Sequence, residues 1–156
     1  MTQRPLPNIG ALLASFIGQV PEIARPRFLA LLERGAAERY RYWAERSPEN
    51  AAGLLACAAR EVEIADRAER VFAIDEAVRE KLDAPIQGAR AVYNRLFEGV
   101  PLLEQFRIQA NAERQGAVAW RGFAAAVTEP AVRDEFERCA RLEEVSADYL
   151  DGLVSR

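Results

Sequence analysis

The sequence predicts an all-α fold in a single domain, and three observations carry that prediction. Apolar residues recur at alternating steps of three and four along four long stretches, the period of a helix with one buried face. The stretches are separated by breaks at Ser47-Pro48, Asp75, Pro85, Gly99 and Thr128-Glu129-Pro130. No segment reads as a strand. The expected architecture is a bundle of four core helices, with additional short helices at the N-terminus and between two hairpins.

Residues 1–20 form an N-terminal arm with one short apolar helix around Ile9–Gly18, closed by Pro21. Pro26 suits the first turn of a helix running from about Arg27 to Arg46. Ser47 is a good N-cap and Pro48 a good first helical residue for the next helix, which reaches about Ile74. Residues 27–74 are therefore a tight first hairpin. Asp75 caps a short segment to Leu82, Pro85 interrupts it, and Ile86–Glu98 resumes as an amphipathic helix ending at Gly99, so that 75–100 connects the two hairpins. Pro101 opens the third core helix, which runs to Val127. Thr128-Glu129-Pro130 then breaks the chain and caps a fourth helix from Ala131 to about Leu153, completing a second hairpin over 101–154.

The 156 residues suffice for one continuous core, and the balance of 50% hydrophobic and 29% charged residues is that of an ordinary globular chain. A net charge of −3, a pI near 5.2 and basic residues always interleaved with acids argue against a nucleic-acid partner. No run approaches the roughly 18–20 apolar residues that span a bilayer. The apolar stretch Ile9–Gly18 superficially resembles a signal-peptide core. No small-residue cleavage site follows it before Pro21, so it reads as a docking helix. Cys57 and Cys139 are not closely paired, which makes a reduced, cytoplasmic setting the default. Histidine is absent, removing the commonest general base and transition-metal ligand.

Each of the four seams carries an acid. They read Leu31-Gly35-Glu38-Tyr42-Glu45, Leu54-Ala58-Glu61-Ala65-Ala68-Phe72, Leu103-Phe106-Ala110-Glu113-Ala117-Trp120-Ala124-Val127 and Val132-Phe136-Cys139-Glu143-Ser146-Leu150-Leu153. Glu38, Glu61, Glu113 and Glu143 would then meet at mid-height in the core, with Glu45 an extra acid at one end. An internal repeat supports this layout. Cys57-Ala58-x-x-Glu61-x-x-x-Ala65-Asp66 recurs 82 positions later as Cys139-Ala140-x-x-Glu143-x-x-x-Ala147-Asp148, and Ala37-Glu38-Arg39 recurs 75 positions later as Ala112-Glu113-Arg114. The difference of seven is one heptad, which keeps the seams in phase.

Burying one unpaired carboxylate costs several kcal/mol, so a cluster needs protons, arginines or cations. In antiparallel bundles, dinuclear metal sites take one inward glutamate from each of two helices and a Glu-x-x-His motif from each of the other two. On these residues the chain resembles the ferritin-like superfamily, its rubrerythrin-like branch above all. The pattern Ala-x-x-Glu-x-x-His-Ala is matched in part by Ala58-x-x-Glu61-x-x-Ile64-Ala65 and Ala140-x-x-Glu143-x-x-Ser146-Ala147, and Glu38 and Glu113 fall where the first and third helices supply carboxylates. The resemblance implies a ferritin-like antiparallel four-helix bundle and a mono- or dinuclear site for iron or manganese held by Glu38, Glu61, Glu113 and Glu143. Both histidines are replaced, by Ile64 and Ser146, so an all-carboxylate site would favour hard ions.

The alternative is a metal-free scaffold, with no cofactor, acting as a partner-binding or structural module. There the acids are neutralised across helices by Arg39, Arg60, Arg114 or Arg141. Cys57 and Cys139 read as small buried hydrophobes. Tyr40, Tyr42, Trp43 and Trp120 read as core packing near the acids. Leu12, Leu13, Phe16 and Ile17 of the arm are expected to dock on the bundle or on a second copy of the chain, giving a homodimer.

Overall fold

The computed structural model describes residues 4–156, so the first three residues of the expected arm lie outside the described residues. Every regular element in the described residues is helical: α1 (Ile9–Ile17), α2 (Arg25–Arg46), α3 (Ala51–Val71), α4 (Glu76–Glu80), α5 (Asp83–Arg95), α6 (Leu102–Ala126) and α7 (Pro130–Val154), with 3-10 turns at Glu22–Ala24 and Pro48–Asn50. None of these helices is long and apolar enough to cross a membrane.

Pro26 falls in the first turn of α2 as expected, whereas Pro85, expected to interrupt a helix, lies in the first turn of α5. The first four amides of a helix have no intrahelical acceptor, so a missing N–H costs nothing there. Ser47 does not cap α3. Its hydroxyl donates to Glu49 Oε1 at 2.8 Å and accepts from Asn50 Nδ2 at 2.9 Å, and α3 begins only at Ala51. Asp75 does act as a cap, accepting from the Val78 amide at 2.8 Å. Gly99, at φ +67°, makes the left-handed turn into α6 that other residues resist.

The four long helices pair antiparallel. Arg34 of α2 reaches Asp66 and Glu69 of α3, while Arg27, two turns earlier, reaches the Glu69 and Phe72 carbonyls. Arg114 and Arg121 of α6 pair with Asp148 and Glu144 of α7 in the reverse order. The hairpins join through α3 and α7, where Arg60 donates to Ser146 Oγ at 2.9 Å and Arg67 meets Glu135 at 2.7 Å. On the opposite side α2 and α6 stand apart, and α1 and α5 cover the gap.

Two apolar layers fill the ends of this arrangement. One gathers Tyr40, Trp43, Leu54, Cys57, Phe106 and Leu150, with Trp43 edge-on to Phe106 at 5.4 Å. The other gathers Ala30, Ile64, Ala68, Trp120, Phe136 and Cys139. A third cluster, including Leu13, Phe28, Ile86 and Ala89, holds α1 and α5 against α2. Gly88 makes that docking close, since a Cβ there would sit 2.3 Å from the Phe16 ring. The arm thus docks on its own chain, with Phe16 and Ile17 packed inward and Leu12 left exposed.

Candidate functional site

Between the two end layers, at mid-height, lie four glutamates: Glu33 of α2, Glu61 of α3, Glu113 of α6 and Glu143 of α7. Their exposures are 7%, 0%, 2% and 1%. Helical periodicity puts them there. On α3, Cys57 and Ala58 belong to one layer and Ile64 and Ala65 to the other, so Glu61 falls between. On α6 the same bracketing by Ala110 and Ala117 places Glu113, and on α7 Ala140 and Leu150 bracket Glu143.

The acids are unequally supplied with donors. Tyr40 Oη and Gln109 Nε2 both donate to Glu113 Oε1 at 2.6 Å, and Trp120 Nε1 donates to Glu143 Oε1 at 3.0 Å. No N–H or hydroxyl donor in the described residues reaches either oxygen of Glu61, or Glu113 Oε2. One carboxylate oxygen from each of Glu33, Glu61 and Glu143 lies within 4.8 Å of the other two. Oxygens bound to one hard cation stand at most about 4.0–5.2 Å apart, so separations within 4.8 Å are compatible with a shared ion. Gly116 leaves room for this packing, because a Cβ there would lie 2.7 Å from Glu143 Oε1.

Burial first, and then crowding, fixes the electrostatics. Burial, then the negative charge of Glu113, pushes the Glu33 carboxyl up to about 7. Glu61 and Glu143 are driven well above the usual carboxylate range, first by burial and then by the neighbouring acids. Tyr40, buried against Glu113, is held firmly as a neutral phenol and hence as a donor. At neutral pH, in the absence of a cation, the cluster must keep protons.

Arginine does not neutralise it. Arg39 lies over the Tyr93 and Phe97 rings and donates to Asn94 and Gln109, with burial lowering its pKa. Arg60 is spent on Ser146 and Cys57, Arg114 on Asp148 and Asp151, and Arg141 is exposed. Among the described residues no guanidinium forms an ion pair with any of the four glutamates. The positions that a histidine would occupy are also filled: Ile64 and Ser146 are fully buried at the α3–α7 contact.

One expected ligand moves. Glu61, Glu113 and Glu143 converge as the seams predicted, whereas Glu38 is exposed at the edge of the α2–α6 gap, and Tyr42 and Glu45 are exposed too. The buried face of α2 instead runs through Phe28, Ala30, Glu33, Ala37, Tyr40, Trp43 and Ala44, so Glu33 takes the inward place. A signal for it was present. With a spacing of 80 rather than 75, Ala30, Glu33, Ala37, Tyr40 and Ala44 align with Ala110, Glu113, Ala117, Trp120 and Ala124, all ten buried. The Ala-Glu-Arg match at 75 is therefore not the structural repeat. The α3–α7 repeat at 82 holds, since Cys57, Ala58, Glu61 and Ala65 and their counterparts are all buried.

Comparison with known families, characterised proteins and solved structures finds no match to this chain.

Both cysteines are free and fully buried, and burial pushes the Cys139 thiol up to about 12 and Cys57 above its ordinary value. Native protein is therefore expected to react with a thiol reagent at pH 8 at least about 100-fold more slowly than unfolded protein, because only the exposed thiolate attacks. Labelling of both thiols at the unfolded rate would overturn their placement.

Proposed function

We propose that this protein is a ferritin-like antiparallel four-helix bundle of the rubrerythrin type that binds one or two divalent ions, iron or manganese, through Glu33, Glu61, Glu113 and Glu143. The observation that carries the reading is Glu61, a fully buried carboxyl with neither oxygen met by an N–H or hydroxyl donor in the described residues and only the Glu33 carboxyl as a hydrogen-bonding neighbour. Such a group costs several kcal/mol unless something neutralises it. The donor set fits a hard cation: oxygens only, one each from Glu33, Glu61 and Glu143 on three of the long helices, all within 4.8 Å of one another, with Glu113 of the fourth beside them. Tyr40 and Gln109 fix Glu113, and Trp120 fixes Glu143, so those side chains are oriented before any ion arrives. The ion itself would supply Lewis acidity or electron transfer.

A metal-free bundle is the competing reading, and the replacement of both histidines by Ile64 and Ser146 favours it. The arginine-paired form of that reading has no support, since the four guanidinium groups are engaged elsewhere or exposed. What remains is a cluster held by protons. Elemental analysis of protein purified without chelator, followed by calorimetric titration of the stripped protein with Mn(II) and with Fe(II) under anaerobic conditions, separates the two. Saturable binding of one or two equivalents, weakened at least tenfold by Glu113→Gln, is the expected result. No metal in the purified protein and no heat above dilution would refute the proposal.

A further inference from the structure

Where α2 and α6 stand apart, a cavity of about 520 Å³ runs between them, floored by Glu33, Glu113 and Glu143. Its walls are mostly aliphatic and aromatic: Leu29 and Leu32 of α2, Ala119 and Phe123 of α6, and Leu13 and Ile17 of the covering α1. It touches α2 from Arg25 to Arg39, about 21 Å at 1.5 Å of rise per residue, so it is an elongated slot of small-molecule size. Three arginines line it without ion pairs among the described residues, and of these Arg39 is taken up by Asn94, Gln109 and the Tyr93 and Phe97 rings. Arg90 of α5 is anchored by donating to the Leu31 carbonyl at 2.7 Å, yet its Nε is buried and has no acceptor among the described residues. Arg25 Nε is in the same condition at one end of the slot, and neither arginine forms an ion pair among the described residues.

A buried guanidinium N–H without an acceptor, beside an apolar slot, calls for an anion carrying an apolar tail. We infer that the α2–α6 cavity is a binding site for an amphipathic monoanion, a medium-chain carboxylate, whose head is received by Arg90 and whose tail lies along Leu13, Leu29 and Phe123. Glu33, raised to about 7, and Glu143, held well above the usual carboxylate range by burial, carry less negative charge at neutral pH than free carboxylates and so weaken the repulsion an anion would meet. Binding by Arg90 does not need the metal, and this inference stands apart from the proposed function.

The test is calorimetry with octanoate, octanol and octylammonium, chosen because they share a tail and differ in the head, on the full chain at pH 7 both with chelator and after Mn(II) loading. Octanoate is expected to bind once per chain, at least tenfold more tightly than octanol or octylammonium, in both preparations. Arg90→Gln should reduce octanoate to the affinity of octanol and leave octanol unchanged. Equal binding of all three probes would mean that the slot reads only the tail, and a preference for octylammonium would mean that the glutamates read the head. Octanoate binding that requires Mn(II) would place the head on the metal. Each of these results, or no binding at all, would overturn the inference, and the three probes on the unmodified chain decide it even if Arg90→Gln does not fold.

Discussion

Replacing Glu61 by leucine is expected to raise the melting temperature of the chelator-treated protein and to remove any stabilisation by manganese. Glu61 is fully buried between Cys57, Ala58, Ile64 and Ala65, its oxygens meet no N–H or hydroxyl donor in the described residues, and Glu113 and Glu33 add repulsion. Leucine fills a similar volume without the desolvation cost. Exchanges of buried charged groups for apolar ones of similar size are neutral to stabilising by about 1–4 kcal/mol. For a chain of this size a gain of about 2 kcal/mol corresponds to roughly 4–8 °C. The wild-type protein should recover or exceed that margin only with metal, since an ion bound at 100 times its Kd contributes about 2.7 kcal/mol. If Glu61→Leu lowers the melting temperature of the chelated protein, the carboxyl has a compensating partner and the reasoning from its unmet oxygens is wrong.

The second large effect is in pH. Glu33, Glu61 and Glu143 all have folded pKa values above the unfolded reference of about 4.3, so the native metal-free state binds more protons than the unfolded chain. Their burial opposes folding most at high pH. The penalty is relieved as pH falls through the folded values, beginning above the value of about 7 for Glu33, and is gone below the unfolded reference. Chelated protein should therefore become more stable from pH 8 to pH 5, by on the order of 3 kcal/mol from Glu33 alone at 1.36 kcal/mol per unit. Metal-loaded protein should show the opposite slope, because acid displaces the ion. Glu104 and Glu144, held low by Arg107 and Arg121, lose their contribution only as pH falls below the ordinary carboxylate range, outside this window. Stability of the chelated protein that falls steadily from pH 8 to pH 5 would exclude a proton-held cluster.

The candidate site was legible where the buried face of a helix had only one consistent phase. On α3, α6 and α7 the apolar residues bracket a single acid, and Glu61, Glu113 and Glu143 are where the spacing put them. The sequence places the aromatic donors near the acids. Their roles it leaves open, because whether Tyr40 packs or donates depends on the 2.6 Å approach of Glu113 from another helix. The cavity had no signal in the sequence, since Arg25 and Arg90 come to line one slot only through the docking of α5 beside α2.

By itself the sequence determined the helices, the two hairpins and three of the four inward glutamates, through periodicity and proline placement, which act within one segment. The rotation of α2 is left open by its own segment and was decided by tertiary structure. Its apolar residues fit two phases about 140° apart, one presenting Glu38 and the other Glu33. The choice falls to what the neighbours accept: turning Tyr40 and Trp43 inward buries two large rings against Phe106 and Phe97, worth about 4–6 kcal/mol each at 25 cal/mol per Å² and 150–250 Å² per ring. The other phase would bury Leu31 and Tyr42 and leave Trp43 in water, and no local pattern in α2 records that difference.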